Sequence, residues 1–291
     1  MLLYQFIDMM RQQYPLKCLC ETLDVSRSCF YDWERGRTHI IDQTHQNVED
    51  QIIAVFRQNK RRYGSRRIVA ELSHMGVTAG PYRVRKVLSA KGLKAIQPRS
   101  FVPRTTDSRH PYPISPNLLA ARPFLTSINE VWVGDITYIP MSDGSFRYLS
   151  VWMDLYSRKV IGWDLQDHMK EPLVIASLEK ALAVRKVTDK RIIHSDRGGQ
   201  YAGTEFRRII DKHKLFQGMC DTGDPYGNPH MESHFSRFKA ELLEGGAFDS
   251  AEDSQTEIFE FIEMYYNTTR LHSSLGYLSP NNFEQKLNSK P

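Results

Sequence analysis

The sequence predicts an α/β protein in which a mixed sheet covered by helices follows an all-α region. From residue 130 onward, short segments rich in β-branched and aromatic residues alternate apolar and polar positions, a pattern typical of strands. Further strand-like segments then alternate with helical ones, which favours a mixed sheet of five strands in all. Residues 16–95, in contrast, show helical spacing.

Length and composition limit the class of protein. The 291 residues are enough for two domains or one large one. No segment approaches the roughly 18 consecutive apolar residues of a membrane span, and the first residues lack the pattern of a secretion signal. The four cysteines form no CxxC pair, which is typical of reduced thiols. We therefore predict a cytoplasmic protein with no membrane partner.

The charge is unevenly distributed along the chain. The net charge is only +5, but the segment from Arg57 to Arg104 contains thirteen Lys or Arg and a single acidic residue, Glu71. The remainder of the chain is therefore acidic. A basic part joined to an acidic part indicates that the basic part binds a polyanion. A basic surface that is merely solvated is the alternative.

Residues 1–44 are interpreted as an N-terminal segment with helix-turn-helix character. Leucines between residues 16 and 23 have helical spacing, Asp24-Val25 forms a turn, and Ser26 is placed to cap a second helix. The second helix of such a motif can enter the major groove of DNA. Many helical hairpins share this pattern, so DNA binding and simple packing both remain open.

Residues 45–96 are predicted to form a basic helix-turn-helix domain. Ser65 is placed to cap one helix, and Pro81 lies in the first turn of the next. Gly76 and Gly92 end these helices. The apolar residues predicted to face the interior are Val84, Val87 and Leu88. Basic side chains on the outer faces would contact DNA phosphates; the predicted DNA-binding residues are Arg61, Arg62, Arg66, Arg67, Arg83, Arg85 and Lys86.

Residues 97–123 contain six prolines and no periodicity, which predicts an extended linker.

The domain after the linker, residues 124–291, begins with three strands joined by turns at Asp143-Gly144 and Ser157-Arg158, a pattern that predicts an antiparallel meander. The remaining predicted elements are a helix at about 171–184, the strand RIIHS, a helix at 203–213, a short strand near LFQG and a helix at about 230–243.

Three acidic residues of this domain are predicted to converge. Asp135 lies within the first strand, Asp196 ends the fourth, and Glu232 opens the last helix, with 35 residues between the second and third acid. The first and fourth strands are predicted to be neighbours. Converging carboxylates repel each other unless a hard divalent cation binds them. Two such ions can support an in-line displacement at phosphorus, and Gly198 and Gly199 would leave room for a DNA backbone.

Each acid also has an ordinary structural interpretation. Asp135 by itself is compatible with a salt-bridged strand residue. Asp196 by itself is compatible with a turn or a helix cap. Glu232 by itself is a favourable residue for the first turn of a helix. The combination of the three acids with the residues around them is more specific than any one of them.

Several segments resemble one known family. The segments WVGDITYI, HSDRGGQY and YGNPHMESHFSRFKAEL, which contain the three acids, resemble the DDE transposases of bacterial insertion sequences. More closely, they resemble the second-frame protein (OrfB) of the group made by frameshifting between two overlapping frames. YGSRRIVAELSHMGVTAGPYRVRKVLSAKGL is similar to its helix-turn-helix region, and YNTTRLHSSLGYLSP to its C-terminal segment.

The resemblance implies a ribonuclease-H-like catalytic domain with a retroviral-integrase-like core. It implies that Asp135, Asp196 and Glu232 are catalytic and bind two Mg²⁺ ions, for which Mn²⁺ substitutes. Lys239 matches a basic residue that contacts DNA near the element end, and Asn228 matches a loop residue that we assign to DNA binding. Gly227 and Pro229 depart from the Asp and Ala common in this loop, which bears on its geometry.

The family also implies the reaction and its partners. The expected function is binding of terminal inverted repeats, metal-dependent DNA strand cleavage and strand transfer. The implied partners are double-stranded DNA, further copies of the chain on that DNA, and an upstream-frame protein as a fusion or partner. The alternatives are a non-catalytic DNA-binding regulator derived from a transposase and a structure-selective nuclease of the same fold.

Other residues have two interpretations each. His194, His230 and His234 lie close to the acids in the sequence, and a zinc site is the alternative to ordinary structural histidines. Arg270 and His272 either contact DNA or order the C-terminal segment. The tryptophans of the predicted strands are core residues or base-stacking platforms; they are Trp132, Trp152 and Trp163.

Overall fold

The computed structural model describes residues 2–36, 43–97, 111–121, 124–185, 191–221, 228–244 and 246–289. The chain divides into two compact units, residues 1–94 and residues 95–291. Across these described ranges, no helix combines the length and the apolar character needed to cross a membrane.

The first part of the N-terminal unit packs helices α1 (Leu2–Met10), α2 (Leu16–Thr22) and α3 (Arg27–Glu34) around Ile7, Cys20 and Phe30. The predicted turn is present, and Asp24 adopts a left-handed conformation with φ of 51°. The prediction that Ser26 caps the second helix of the motif is wrong in one respect. Ser26 precedes α3, but its hydroxyl lies 2.6 Å from that of Ser28 and makes no bond to the helix backbone.

The second part of this unit packs helices α4 (Gln43–Gln58), α5 (Ser65–His74) and α6 (Pro81–Ala90) against one another. Pro81 lies in the first turn of α6, as predicted, and the three apolar residues expected to face the interior are buried. Gly76 and Gly92 follow the helix ends with φ of 77° and 65°. Ser65 is not the cap of α5, because Gly64 occupies that position.

The second unit is built on a five-stranded sheet with the order β3-β2-β1-β4-β5. Its strands are β1 (Val131–Pro140), β2 (Phe146–Asp154), β3 (Val160–Gln166), β4 (Ile192–Ser195) and β5 (Phe216–Met219). The first three strands are antiparallel, whereas β4 pairs parallel with both β1 and β5. The predicted meander, the mixed sheet and the adjacency of the first and fourth strands are confirmed.

Helices cover both faces of this sheet. One face packs against α10 (Pro229–Leu243), α11 (Ala251–Phe259) and a π-helix (Glu260–Tyr266). The other packs against α7 (Glu171–Val184), α8 (Gly199–Ala202) and α9 (Thr204–Lys212). Successive side chains of a strand point to opposite faces of the sheet. Val151 therefore packs against the first group of helices, and the next residue, Trp152, packs against the second group. All three strand tryptophans are buried, which supports their interpretation as core residues.

The C-terminal segment adds elements that the sequence patterns did not indicate. After the π-helix come a short 3₁₀-helix (Ser273–Leu275) and α12 (Pro280–Asn288). The side chain of Asn267 ties this segment to the sheet, since it accepts a hydrogen bond from Val160 N at 3.0 Å and donates one to Val160 O at 2.9 Å. The segment is therefore attached to the start of β3.

The described part of the predicted linker, residues 111–121, has no helix or strand but is attached to the edge strand β5. Met219 N donates to Pro116 O at 3.1 Å, and the Ser115 hydroxyl donates to Gln217 Oε1 at 2.9 Å. The first bond satisfies a backbone N–H of the edge strand, which would otherwise be available to pair with another chain. Residues 98–110 and 122–123 of the predicted linker lie outside the described residues.

We expect Gly162→Ala to destabilise the second unit. A Cβ at this position would lie 2.4 Å from Ser177 O and 2.6 Å from Ala181 N, so β3 and α7 would have to separate. Overpacking of this kind costs about 1–3 kcal/mol, which thermal unfolding measures. Val184→Ala is the control, because Val184 is at the end of α7 and its side chain is 69% exposed. An unchanged Tm for Gly162→Ala would contradict this packing.

Candidate active site

Asp135 and Asp196 lie side by side because β1 and β4 are parallel neighbours. Val133 pairs with His194, and each aspartate lies two residues beyond its member of that pair. Both side chains are half-buried. Asp135 Oδ1 accepts a hydrogen bond from Ile136 N at 2.8 Å, and Asp196 Oδ1 accepts one from Gly198 N at 3.0 Å. The topology thus places two carboxylates at one point on the sheet.

This arrangement is unfavourable for two negative charges. Burial raises the pKa of Asp135 well above its ordinary value, and the charge of Asp196 raises it further. Glu232 adds a smaller effect in the same direction, while the Ile136 N–H and Lys239 oppose it. A cation bound between the carboxylates would relieve this repulsion.

Helix α10 supplies the third acid and a basic residue on one face. Glu232 and Lys239 are seven residues apart, which is about two helical turns. Glu232 is exposed, whereas Lys239 is half-buried. Burial lowers the pKa of Lys239, and the charge of Asp135 partly offsets this effect. Lys239 therefore lies within electrostatic range of the aspartate pair.

The three acids are near one another but do not form a closed metal site. Within the part of the chain that the structure describes, no three His, Cys, Asp or Glu side chains are grouped closely enough to hold a metal ion. The aspartate pair supplies hard oxygen donors in a place where negative charge is destabilised, which fits a divalent cation.

Asn228, for which DNA binding stays a prediction, makes a contact within the chain at the start of α10. It is buried at the start of α10, and its side-chain amide donates to Gly134 O at 3.1 Å. Gly134 precedes Asp135 and has no room for a Cβ, which would lie 2.5 Å from the Trp152 ring. The bond therefore fixes the beginning of α10 beside β1, four residues before Glu232.

The two residues that flank Asn228 depart from the family pattern in the sequence. Pro229 is the first residue of α10, a position where proline is favoured because its missing N–H has no helical partner there. Gly227 lies outside the described residues. At Pro229, the departure from the family pattern is therefore compatible with the start of the helix.

The two glycines after Asp196 lie in the turn that leads into α8. A Cβ on Gly198 would lie 3.1 Å from the Asp196 carboxylate oxygen and 2.7 Å from Gln200 Oε1. Gly199 is the first residue of α8. The absence of a side chain at Gly198 leaves room for the turn that holds Asp196, and the approach of a DNA backbone at these glycines stays a prediction.

The three histidines that follow or precede the acids in the sequence lie in different surroundings. His194 is buried in β4, where its Nε2 lies 3.4 Å from Cys220 Sγ. His234 faces the core, with its ring 4.8 Å from that of Tyr266, and burial lowers its pKa to about 3. His230 lies in the first turn of α10 and is exposed. These surroundings favour structural histidines.

Arg270 orders the C-terminal segment, which answers the question that the sequence left open. Its guanidinium donates to both carboxylate oxygens of Glu241, at 2.9 and 2.7 Å, and both residues are buried. Burial lowers the pKa of Arg270, but the hydrogen bonding and charge of Glu241 raise it overall. His272 lies 3.3 Å from the guanidinium. This ion pair connects the segment after the π-helix to α10.

Two groups near the acids were missed in the sequence. Tyr201 is buried in α8, and burial together with the charges of Asp135 and Asp196 raises its pKa well above the ordinary value, so its hydroxyl stays protonated. Arg197 approaches Asp221 at 3.4 Å, and Asp221 accepts a bond from Asn117 at 2.7 Å. The only signal for Tyr201 and Arg197 was their place in the segment HSDRGGQY.

The predicted basic residues of the N-terminal unit differ in exposure. Arg61, Arg66, Arg85 and Lys86 are exposed, whereas Arg62, Arg67 and Arg83 are half-buried. The Arg67 guanidinium lies 5.6 Å from the centre of the Tyr63 ring, so part of this side chain packs on the unit itself.

Family models match most of the chain. Residues 126–225 match a model described as an integrase core domain, and residues 215–280 match a second model of the same description. Residues 44–101 match a helix-turn-helix-like domain.

Two relatives match over most of the chain. The chain is 36% identical over 285 residues to the transposase InsF for insertion sequence IS3A of Escherichia coli (strain K12), covering 97% of this chain and 98% of that one. It is 35% identical over 238 residues to the transposase for insertion sequence element IS904 of Lactococcus lactis subsp. lactis (strain IL1403), covering 82% and 93%.

Solved structures give weaker likenesses. One is the cryoEM structure of a simian T-cell lymphotropic virus intasome, with 17% identity, a TM-score of 0.42, and 77% of this chain and 71% of that chain covered. Another is the Mos1 transposase catalytic domain, with 16% identity, a TM-score of 0.39, and 47% and 72% covered. The fold assignment depends instead on the sheet order and the family models.

An integrase core that follows a helix-turn-helix-like domain defines the class of transposases and integrases, with the ribonuclease-H-like fold that the sequence resemblance implied. The identity with InsF extends over nearly the whole of both chains. The chain belongs to the IS3 family of insertion-sequence transposases.

Proposed function

We propose that this transposase binds the terminal inverted repeats of its own element, cuts a DNA strand at each element end and joins the freed end to another phosphodiester. In the first step water attacks phosphorus and the P–O3′ bond breaks, which leaves a 3′ hydroxyl on the element. In the second step that hydroxyl attacks another phosphodiester, and a 3′ oxygen leaves. The observation that best supports this proposal is the juxtaposition of Asp135 and Asp196 on neighbouring parallel strands.

Asp135, Asp196 and Glu232 are proposed to hold divalent metal, with two Mg²⁺ ions per site and Mn²⁺ as a substitute. Such ions activate the attacking oxygen and stabilise the leaving oxygen. The chain contributes the position of its donors. The aspartates are fixed by the sheet, Asn228 fixes the start of α10, and the exposed Glu232 carboxylate would complete the set.

Lys239 is proposed to contact the DNA backbone next to the acids. It lies on the same face of α10 as Glu232, two turns away, and is within electrostatic range of Asp135. A lysine ammonium in this place attracts a phosphate toward the carboxylates that would otherwise repel it. Its contribution is therefore to place the scissile strand.

The N-terminal unit is proposed to bind double-stranded DNA through its exposed basic residues. Arg61, Arg66, Arg85 and Lys86 would contact phosphates, which gives affinity but little choice of sequence.

Because two element ends must be joined, we also propose that several copies of the chain assemble on the DNA. We propose further that an upstream-frame protein acts with this chain, either as a partner or as a fusion. The proposed location of the protein is the cytoplasm.

The reaction is tested in cells that contain the native element ends and the upstream frame. Amplification across abutted left and right ends detects a joined product. Wild type should give this product and Glu232→Gln should not. Glu252→Gln is the matched control, because Glu252 is an exposed acid in the first turn of another helix, α11. Joining by Glu232→Gln at the wild-type level would contradict the proposed role of this acid.

The same experiment separates the alternatives. Cut ends without a joined product would indicate a nuclease of the same fold. DNA binding without cutting or joining by wild type would indicate a non-catalytic regulator. Both results would overturn the proposed strand transfer.

A further inference from the structure

We propose that Tyr82 and Ser89 of helix α6 select the DNA sequence that the N-terminal unit binds, by contacting base edges in the major groove. This inference rests on the proposed function, because it assumes that the unit binds element ends. It goes beyond the basic residues already assigned, since those residues explain affinity for any DNA.

The two residues belong to one exposed stripe of α6. Tyr82, Arg85, Lys86 and Ser89 are spaced three, four and seven residues apart, so they lie on the same side of the helix. All four line a shallow open recess of about 560 Å³. The opposite side of α6 is buried through Val84, Val87 and Leu88. The stripe is therefore the side of this helix that a partner can reach.

The exposure of Tyr82 requires an explanation. Its side chain is 74% exposed, whereas Tyr63 in the same unit is completely buried. A large aromatic ring held in water next to two cations does not contribute to the core. Exposed aromatic groups of this kind are typical of binding surfaces.

The position of the stripe matches the geometry of DNA recognition. α5 and α6 are consecutive packed helices, and in a helix-turn-helix the first residues of the second helix contact base edges. Tyr82 is the second residue of α6, immediately after Pro81. The major groove is about 12 Å wide and admits an α-helix with its side chains, which is about 10–12 Å across.

The chemistry of the stripe favours DNA over an apolar or acidic partner surface. Helix α6 contains three basic residues and no acid. A tyrosine ring can pack on a thymine methyl group while its hydroxyl bonds to a base, and serine can donate to or accept from any base edge. Arg85 and Lys86, which lie between Tyr82 and Ser89 in the stripe, would supply the attraction to phosphate.

The test compares binding of the full chain to an element-end duplex and to a scrambled duplex of the same composition. Tyr82→Ala should weaken binding to the element end by about 5- to 100-fold, the effect of losing one base contact. Its affinity for the scrambled duplex should change less than about twofold, because phosphate contacts remain. Ser89→Ala should show a smaller effect of the same kind. Tyr82→Phe keeps the ring and removes only the hydroxyl, so it shows how much each group contributes to binding.

Two controls make the result specific. Arg85→Ala should weaken binding to both duplexes and reduce the salt dependence, as expected for a phosphate contact. Met75→Ala removes an exposed apolar side chain of the same unit outside the stripe and should change neither affinity. Equal losses on both duplexes for Tyr82→Ala, or no loss on either, would overturn the proposal.

The proposal can also fail independently of the proposed reaction. If wild type binds the two duplexes equally but still joins element ends, the proposal that α6 selects the DNA sequence is wrong, whereas the proposed cleavage and joining reaction is supported. If Tyr82→Ala loses discrimination while wild type never joins ends, the inference about α6 stands and the proposed reaction is wrong.

Discussion

Replacement of Asp135 by asparagine is expected to reduce strand cleavage by at least about 1000-fold, with DNA affinity changed less than about twofold. The amide side chain keeps the shape of the carboxylate and an oxygen that can accept from Ile136 N, but it removes the negative charge. Loss of a metal-binding carboxylate removes several kcal/mol of transition-state stabilisation, and each 1.36 kcal/mol is a factor of about ten in rate. Cleavage of a labelled element-end duplex measures the rate.

The control for this variant is Asp164→Asn. Asp164 also lies on the sheet, in β3, where it pairs with Lys180 at 2.6 Å. That pair is partly exposed, so its loss costs about 1 kcal/mol or less. Asp164→Asn should cleave at nearly the wild-type rate. Cleavage by Asp135→Asn within about tenfold of wild type would show that Asp135 is not in the reaction centre.

Arg270→Ala is expected to lower the free energy of unfolding of the second unit by about 3–5 kcal/mol. The substitution leaves the Glu241 carboxylate buried without its guanidinium, and an uncompensated buried charge is strongly destabilising. The effect should extend to activity, because Glu241 is part of the helix that contains Glu232 and Lys239. Chemical unfolding followed by tryptophan fluorescence measures the stability.

The matched control is Arg208→Ala. Arg208 pairs with Glu205 at 2.9 Å on the surface of α9, and both side chains are more than half exposed. Its loss should cost about 1 kcal/mol or less. The double replacement Arg270→Met with Glu241→Leu removes both charges and should recover much of the lost stability. Equal stability losses for Arg208→Ala and Arg270→Ala would contradict the role of the buried pair.

The sheet could be predicted from the sequence because its signals are local. The alternation through Leu149 to Met153 and the turn residue Gly144 determine the meander within a short stretch of chain. Glu171 and Pro172 mark the start of α7, and the predicted bounds of that helix agree with the structure. The pairing of β1 with β4 then follows from the topology of a mixed sheet, and this pairing brings Asp135 and Asp196 together.

The parts that could not be predicted depend on contacts between distant residues. Nothing near Glu241 indicates that its partner is Arg270, because the two are 29 positions apart and each resembles an ordinary surface residue in its own segment. The bond from the Asn228 amide to Gly134 O joins residues 94 positions apart, so no local pattern indicates it. The π-helix has no sequence pattern of its own, since it differs from an α-helix by its hydrogen bonding.

In the candidate site, too, some features could be predicted from local sequence and others depend on contacts between distant residues. Local segments identified the acids, and the resemblance to a family assigned their roles. The structure adds that Gly198 makes room for the Asp196 turn and that Glu232 remains exposed at the surface. These details depend on three-dimensional distances that no spacing in the sequence determines.

The most direct test of the acid site is calorimetric titration of Mn²⁺ into the full chain bound to an element-end duplex. Wild type should bind the ion saturably. Asp196→Asn should lose this binding, whereas Asp249→Asn, an exposed aspartate outside the site, should bind like wild type. Equal binding by wild type and Asp196→Asn would show that these carboxylates do not hold the metal, and the proposed chemistry of the site would be wrong.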